Sequence, residues 1–346
     1  MNKTKVLVVD DSAVIRQVLT KIVNNEADMT VVGTAPNPYI ARDKLILLKP
    51  DVMTLDIEMP RMDGLTFLKK VMRHFPIPTI IVSSVTKEGC KTSMKALEIG
   101  AVNVIPKPSE AYSIDSIEKE LIKAIRAAAH AKVNKRKIDV AVEEKKSLQP
   151  ISIATTNKII AIGASTGGTE ALKDVLIKLP ANSPGIVMVQ HMPPVFTAAF
   201  AERLNDLCKI EVREAKDGDV VYPGLALLAP GGLHMVLRRE GARYFVRVKD
   251  GPQVWHQRPA VDVLFKSVSQ FAGPNALGII LTGMGKDGAQ GMELMKQTGA
   301  INIAQDEKSS VVFGMPKAAI ETGSVDYVEN LYDIPERVID IINNKL

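Results

Sequence analysis

The sequence predicts an α/β protein built from two doubly wound domains: a five-stranded parallel N-terminal domain and a larger, mostly parallel C-terminal domain with a β-hairpin. Short apolar runs recur along the chain, and amphipathic helical patterns separate them. The runs are continuous rather than alternating, which indicates strands covered on both faces, as in parallel sheets wrapped by helices. A charged stretch without periodicity interrupts this pattern. We therefore expect domains at residues 1–127 and 156–346, joined by a linker at 128–155.

Five strands are predicted in the first domain, and polar side chains stand at the ends of four of them. The predicted strands are Lys5–Asp10, Thr30–Ala35, Val52–Ile57, Thr79–Ser84 and Asn103–Pro106. The polar residues are Asp10 and Asp11 at the first strand, Asp56 at the third, Ser83 at the fourth and Lys107 at the fifth. Because the carboxyl ends of parallel strands share one edge of the sheet, these side chains should lie together.

Three of these side chains are carboxylates, which cannot all stay charged at one place without a cation. The group therefore predicts a site for a hard divalent cation, and Mg²⁺ is the cation we expect. A lysine and a hydroxyl beside it would suit an incoming phosphoryl group. Taken singly, each aspartate would be read as an N-cap or turn residue, but their coincidence at strand ends argues against that interpretation.

Residues 3–127 resemble the receiver domain of two-component response regulators. The resemblance rests on Asp10-Asp11, Leu55-Asp56-Ile57-Glu58-Met59-Pro60, Met62-Asp63-Gly64, Ser83 and Lys107-Pro108. It implies that Asp56 is the phosphoacceptor. It also implies that Asp10 and Asp11, with the main-chain carbonyl of Glu58, bind Mg²⁺.

The same resemblance implies that Ser83 and Lys107 contact the phosphoryl oxygens, and that the Lys107–Pro108 peptide bond is cis. One position departs from the pattern. Val104 stands where many receivers carry a switching aromatic residue, so how phosphorylation is signalled onward is left open.

The second domain repeats the alternation of strands and helices. Buried strands are predicted at Ile159–Ala164, Gly185–Gln190, Gly224–Ala229, Ala276–Leu281 and Ile301–Ala304. An antiparallel hairpin is predicted from His234–Arg239 and Tyr244–Lys249, and a closing helix from Ile334–Leu346.

Ser165 lies in a glycine-rich turn between the first of these strands and a helical pattern. The segment Gly163-Ala164-Ser165-Thr166-Gly167 is a G-x-S-x-G sequence. Such a turn presents a serine nucleophile beside the free N–H groups of a helix N-terminus, which favour developing negative charge. Glycine-rich turns of this kind also bind phosphate. The turn alone leaves both interpretations open.

Two further residues could complete a nucleophilic site. Among the five histidines, His191 alone directly follows a predicted buried parallel strand. Asp287 lies in the glycine-rich loop after another strand, where it could orient His191 while the Met284 N–H faces a substrate oxyanion. Asp287 could instead be the N-cap of the helix that follows. The order serine, histidine, aspartate differs from that of α/β-hydrolases, so the G-x-S-x-G match does not indicate that fold.

The whole chain resembles the chemotaxis response-regulator protein-glutamate methylesterases. The motifs that carry the resemblance are Gly163-Ala164-Ser165-Thr166-Gly167-Gly168, Gln190-His191-Met192-Pro193, Ala229-Pro230-Gly231-Gly232-Leu233-His234 and Leu281-Thr282-Gly283-Met284-Gly285-Lys286-Asp287-Gly288. The resemblance implies that Ser165, His191 and Asp287 form a catalytic triad. It also implies that the N–H groups of Thr166 and Met284 hold the oxyanion.

This family hydrolyses γ-glutamyl methyl esters on chemoreceptor helices, releasing methanol, and often deamidates receptor glutamines. The resemblance therefore implies methyl-accepting chemoreceptors as substrate and a chemotaxis histidine kinase as phosphodonor, with no cofactor in the second domain. We further hypothesise that the unphosphorylated first domain restricts access to Ser165.

Two other classes of function remain as alternatives. A phosphorylation-controlled regulator could carry a nucleotide- or phosphate-binding module in place of an enzyme, and an acyl adduct on Ser165 would distinguish the two. A DNA-binding regulator would need a compact helix-turn-helix output, which the predicted strands and glycine turns of the second domain do not resemble.

The composition limits which partners and which cellular location we expect for this protein. The net charge of +5 is small and dispersed, so we expect no nucleic-acid partner. The two cysteines have no metal or redox spacing, no signal peptide is recognised, and no apolar segment approaches membrane-spanning length. We expect a cytoplasmic protein that does not insert into a membrane.

Overall fold

The computed structural model describes residues 3–59, 63–108, 114–133 and 157–344. The chain divides into two compact units, Met1–Val140 and Ala141–Leu346. Most of the predicted linker, 128–155, lies outside the described residues, so its boundaries stay a prediction. No helix in the described ranges is long and apolar enough to cross a membrane.

The first unit is a five-stranded parallel sheet with helices between successive strands, as predicted. The strands are β1 (Thr4–Val9), β2 (Met29–Ala35), β3 (Val52–Asp56), β4 (Thr79–Ser83) and β5 (Asn103–Pro106), in the order β2-β1-β3-β4-β5. The helices are α1 (Ala13–Asn24), α2 (Pro38–Leu48), α3 (Gly64–His74), α4 (Lys87–Ile99) and α5 (Ile114–Ala129).

Side-chain caps start four of these helices. Ser12, Asn37, Asp63 and Thr86 each accept a hydrogen bond from a first-turn N–H, at α1, α2, α3 and α4 respectively. Such caps satisfy donors that have no intrahelical partner. The strands between them are buried, with β3 and β4 covered along their whole length, as expected for a sheet packed on both faces.

The second unit contains a seven-stranded parallel sheet in the order β15-β14-β13-β6-β7-β10-β8. Its strands are β6 (Ile159–Ala164), β7 (Gly185–Gln190), β8 (Glu211–Glu214), β10 (Leu225–Leu228), β13 (Ala276–Ile280), β14 (Ile301–Gln305) and β15 (Tyr327–Glu329). The two edge strands, β8 and β15, were not predicted. They are three or four residues long and partly exposed, so they lack the buried apolar run that identifies the other strands.

The predicted hairpin is confirmed, but it lies outside the main sheet. Its strands, β11 (His234–Glu240) and β12 (Arg243–Lys249), form a separate antiparallel sheet with the two-residue strand β9 (Val220–Val221). Helix packing explains the arrangement, since Leu237 and Val246 of the hairpin are buried in one core with Leu264 and Phe265 of helix α8 (Val261–Phe271).

The helices of the second unit include the C-terminal helix that the sequence predicts. They are α6 (Gly168–Leu176), α7 (Phe196–Leu207), α8 (Val261–Phe271), α9 (Ala289–Gln297), α10 (Met315–Glu321) and α11 (Ile334–Asn344).

The sheet order places three loops side by side. Strand β6 pairs with β7 on one side and with β13 on the other. In register, Ala164 lies opposite Gln190, and Gly163 lies opposite Ile280. The loops that follow these three strands therefore leave the sheet at one level, and they carry Ser165, His191 and Asp287 respectively.

Candidate active site

Ser165 occupies a sharp turn directly after β6. Its backbone N–H donates to the Thr282 carbonyl at 3.0 Å, and its own carbonyl accepts the Gly168 N–H at 2.7 Å. Gly167 has φ of 77° and α6 begins at the next residue, so the turn needs a left-handed residue at this point. Ser165 is 7% exposed. The strand-turn-helix geometry predicted from the glycine pattern is present.

Close packing explains a glycine on the neighbouring loop. A Cβ atom at Gly283 would lie 2.7 Å from the Ser165 Cβ and 2.3 Å from the Met315 Sδ. The Gly283 backbone is fixed in turn, because its carbonyl accepts the N–H groups of Gly314 and Met315 at 3.1 and 2.8 Å. The glycine thus lets the loop after β13 lie directly against the serine.

His191 follows β7 and reaches across to the Asp287 carboxylate. Its Nε2 lies 2.8 Å from Asp287 Oδ2, and both side chains are almost wholly buried. Its Nδ1 is buried and has no hydrogen-bond partner among the described residues. Because the carboxylate can only accept, we assign the proton to Nε2, which leaves the Nδ1 lone pair free to accept a proton.

Asp287 does not cap its own helix, and that alternative for the residue was wrong. The N-cap position of α9 is Gly288, which lies in the left-handed region. The Asp287 carboxylate points instead to α8, where it accepts the N–H groups of Val261 and Asp262, each at 2.8 Å. A sequence cannot show this, because the capped helix begins 26 residues earlier in the chain.

The surroundings of Asp287 favour its ionised form. Burial alone raises the pKa of this carboxyl group. The hydrogen bond from His191, the positive charge of that ring when it is protonated, and the two N–H groups of α8 outweigh burial and hold the pKa of Asp287 below its ordinary value. A negative charge facing Nε2 keeps the imidazole in one tautomer and stabilises it when protonated.

Two backbone N–H groups near Ser165 are free to bind a ligand. No described residue accepts a hydrogen bond from the N–H of Thr166 or of Met284. The loops that carry them are held together, since Thr282 Oγ1 donates to the Thr166 carbonyl at 3.0 Å and accepts the Val312 N–H at 2.9 Å. Unengaged, rigidly held donors are what an oxyanion site requires.

Gln190 is a residue of this site that the sequence reasoning missed. It is buried at the end of β7, and its Nε2 donates to the carbonyls of Ser165 and His191 at 2.9 and 3.1 Å. The side chain therefore ties the serine turn to the histidine loop. A polar residue closing an otherwise apolar strand, directly before His191, was the signal available in the sequence.

The acidic group of the first unit is brought together as predicted. Carboxylate oxygens of Asp10, Asp11 and Asp56 lie within 4.8 Å of one another. The Lys107 ammonium lies 2.8 Å from Asp56 Oδ2 and 3.2 Å from Asp10 Oδ2. Three carboxylates this close together carry more negative charge than one ammonium offsets, so the cluster fits a hard cation such as Mg²⁺.

Burial and charge shift two pKa values at this edge of the sheet. Burial, reinforced by the charge of Asp56, raises the pKa of Asp10 despite the opposing effect of Lys107. Burial disfavours a charged Lys107, but its contacts with Asp56 and Asp10 prevail and raise its pKa. A cation at the cluster would relieve the repulsion between the carboxylates.

The other predicted residues of the first unit lie within or just after β3, β4 and β5, with one correction. The Glu58 N–H donates to Asp56 Oδ1 at 3.0 Å, Ser83 is buried at the end of β4, and Val104 is buried within β5. The predicted cis bond at Lys107–Pro108 was wrong: among the described residues only Arg258–Pro259 is cis. The two forms of an X–Pro bond differ by only about 0.5–1 kcal/mol, so the local sequence does not decide between them.

Comparison with family models gives two matches, which together span most of the chain. Residues 160–338 match the CheB methylesterase model, and residues 6–137 match the response regulator receiver domain. The first match covers more than half of the chain and contains Ser165, His191 and Asp287.

The chain belongs to the CheB methylesterase family.

Two similar proteins match this chain along nearly their whole length. A protein-glutamate methylesterase/protein-glutamine glutaminase 2 from Syntrophus aciditrophicus is 57% identical over 343 residues, which cover 99% of this chain and all of that protein. The protein-glutamate methylesterase/protein-glutamine glutaminase of Sulfurimonas denitrificans is 50% identical over 348 residues and is covered to 99% in both chains. These alignments thus span both units of this chain.

A solved structure supports the fold of the second unit. The CheB methylesterase catalytic domain of Thermotoga maritima is 42% identical, with a TM-score of 0.53. The match covers 54% of this chain and 98% of the Thermotoga maritima chain. The parallel α/β architecture of the second unit is therefore that of the CheB catalytic domain.

Proposed function

We propose that this protein removes methyl groups from glutamyl methyl esters of chemoreceptors and deamidates receptor glutamines, under the control of receiver phosphorylation. The names of its full-length relatives support this activity, and its two units are those of a receiver-regulated esterase. Within it, we assign residues 1–127 to the receiver, 128–155 to the linker and 156–346 to catalysis. We place the reaction in the cytoplasm.

The contact between His191 and Asp287 carries the proposal. It leaves Nδ1 of His191 as a free buried base on the loop beside Ser165. In the proposed reaction, His191 takes the Ser165 proton at Nδ1 while Oγ attacks the γ-carbonyl carbon. Asp287 holds the ring and stabilises the imidazolium that forms.

The N–H groups of Thr166 and Met284 would hold the oxyanion of the tetrahedral intermediate. His191 returns the proton to the departing methoxide, so methanol leaves and a glutamyl ester remains on Ser165. Water, deprotonated by His191, then releases glutamate and restores the serine. With a glutamine substrate the same steps release ammonia in place of methanol.

In the receiver we propose Asp56 as the phosphoacceptor and a chemotaxis histidine kinase as the phosphodonor. Asp10, Asp11, Asp56 and the Glu58 carbonyl would hold Mg²⁺, which supplies positive charge opposite the phosphoryl oxygens. Lys107, already paired with Asp56, and Ser83 would contact those oxygens after transfer.

Methanol release from membranes that contain methylated chemoreceptors tests the proposal. With a phosphodonor present, the wild-type protein should release methanol, and mass spectrometry after rapid quenching should find a glutamyl adduct on Ser165. A phosphate- or nucleotide-binding module would give neither methanol nor an adduct, and that outcome would reject the esterase.

A further inference from the structure

Three residues of the second unit hold a backbone conformation that is costly for them. Among its described residues other than glycine, only Val195, Trp255 and His256 have positive φ, at 72°, 53° and 58°. Bulky and β-branched residues seldom adopt this conformation, and where they do the surrounding structure must enforce it. All three are exposed.

Trp255 and His256 form the tip of a short hairpin. Val254 and Gln257 exchange backbone hydrogen bonds of 3.0 and 2.9 Å, so the two residues between them occupy the central positions of a two-residue turn. Such turns ordinarily use asparagine and glycine, which reach positive φ at low cost. An aromatic residue at this place is unfavourable for folding, which points to a role outside folding.

Polar contacts hold the tip in place. The Trp255 indole N–H donates to Asp262 Oδ2 at 2.6 Å, and the Lys286 ammonium lies 4.2 Å from the centre of the indole ring. Buried His234 fastens both ends of the loop, since its Nε2 lies 2.9 Å from the Pro252 carbonyl oxygen and its Nδ1 accepts the Ala260 N–H at 3.3 Å. Trp255 is nevertheless 42% exposed. A rigidly held, exposed indole is suited to binding a partner.

Both contacts of Trp255 lead directly to the catalytic aspartate. Asp262 donates its backbone N–H to Asp287 Oδ1 at 2.8 Å, and Lys286 immediately precedes Asp287 in the chain. The tip therefore has a fixed position relative to the triad.

Val195 is another exposed apolar residue with positive φ, and it lies on the loop that begins at His191. It is 46% exposed, directly before α7. The backbone before it is tightly packed, because a Cβ atom at Gly231 would lie 2.4 Å from the Pro194 nitrogen. The loop after β7 thus carries one strained, exposed apolar side chain, and Lys286 of the loop after β13 contacts the other.

We propose that the substrate helix packs against Trp255, and against Val195 on the loop of His191, when its glutamyl methyl ester enters the site. This inference rests on the proposed function. Ser165 is almost buried, so a receptor helix must stay at the rim of the site while one side chain extends inward. Trp255 and Val195 contact apolar parts of that helix, and Lys286 offers a positive charge to its glutamate side chains. Trp255 is thereby a specificity-determining residue, not a catalytic one.

The first test compares Trp255→Ala with Tyr332→Ala in the full-length protein with a phosphodonor. Tyr332 is a matched control, because it is 53% exposed and its ring lies 5.2 Å from the Lys178 ammonium. In the sequence it follows β15, after all three loops that carry the triad. For Trp255→Ala, kcat/KM on methylated receptor membranes should fall by about tenfold or more, mainly through KM. Tyr332→Ala should stay near wild type.

Labelling of Ser165 by a small fluorophosphonate separates recognition from chemistry. Trp255→Ala should be labelled at nearly the wild-type rate, because the reagent has no helix to recognise. Receptor turnover within about twofold of wild type would overturn the inference, as would a loss of labelling that parallels the loss of turnover. If wild type itself is labelled but releases no methanol from receptors, the proposed function fails instead.

The second test needs no change at the tip. Trp255 is the only tryptophan of the chain, so its emission reports on this surface alone. Full-length Ser165→Ala, with a phosphodonor, is titrated with a tryptophan-free, methylated receptor cytoplasmic segment, and binding is followed separately by sedimentation. The emission should shift to shorter wavelength with the same midpoint as binding. Binding without any change in emission would overturn the inference.

Discussion

Asp287 uses one carboxylate oxygen, Oδ2, to contact both His191 and the first N–H of α8, each at 2.8 Å. Its other oxygen accepts the next N–H of the same helix, from Asp262. The orientation of the histidine is therefore fixed by a helix N-terminus through the aspartate. Helix N-termini stabilise negative charge, so this arrangement also keeps the carboxylate ionised.

Asp287→Asn should lower the rate of receptor demethylation less than His191→Ala does. We expect the Asp287→Asn variant to be roughly ten- to a hundredfold more active than the His191→Ala variant. The first change disturbs the orientation and tautomer of the base, whereas the second removes the base. Methanol release from methylated receptors, measured for both variants at matched phosphorylation, gives the ratio. Equal losses would mean that Asp287 is required for more than the orientation of His191.

Asp287 should also make stability depend on pH. Its pKa in the folded protein is lower than the ordinary value of 3.8, so its stabilising contribution is complete well above that value and is lost as pH falls through the lowered pKa. The difference in urea midpoint between wild type and Asp287→Asn should be constant above about pH 5 and shrink in acid. A difference that persists unchanged to about pH 3 would contradict the lowered pKa.

Ser165→Ala should abolish methanol release, with a loss of several orders of magnitude and little change in stability. Triad residues act as a unit, so the remaining groups cannot replace the nucleophile. Circular dichroism and thermal unfolding would establish that the variant is folded. Activity within about tenfold of wild type would place the nucleophile elsewhere.

Gly283→Ala should impair catalysis, because the added methyl group overlaps Met315 and lies 2.7 Å from the Ser165 Cβ. Gly323→Ala is the control. Gly323 has φ of 74° and open space around its Cβ position, so that substitution strains the backbone without touching the site. Both variants should lose stability, but only Gly283→Ala should lose methanol release at a temperature where both are folded. Equal activity in the two variants would show that this close approach is not needed.

Asp56→Asn should remove stimulation by a small phosphodonor and leave the unstimulated rate of methanol release. The substitution removes the acceptor oxygen beside Lys107. Asp43→Asn is a suitable control, because Asp43 is an exposed receiver aspartate whose ion pair within the described part of the chain is with the neighbouring Arg42. The control should respond like wild type. Stimulation of Asp56→Asn to the wild-type level would exclude this residue as the phosphoacceptor.

The order of residues was enough to predict most of the sheet architecture and the positions of the candidate site residues. Buried strands such as β6 and β7 are continuous apolar runs, and they were predicted with correct bounds because burial on both faces leaves little freedom in composition. Polar residues placed at the ends of those runs led to the prediction of Ser165, His191 and the acidic cluster around Asp56 as site residues. Short, partly exposed strands such as β15 carry no such pattern and were missed.

Contacts between residues far apart in the sequence could be determined only from the tertiary structure. Nothing local to Asp287 shows that it binds the start of α8, and nothing local to Gln190 shows that it joins the turns at Ser165 and His191. The role of Trp255 as an anchored tip likewise depends on Asp262 and Lys286, which lie 7 and 31 residues away. The periodicity of apolar residues indicates which residues are buried. Hydrogen bonds between loops depend instead on which strand ends are adjacent. The pairing of β6 with β7 and β13 determines those neighbours, and the local sequence does not show it.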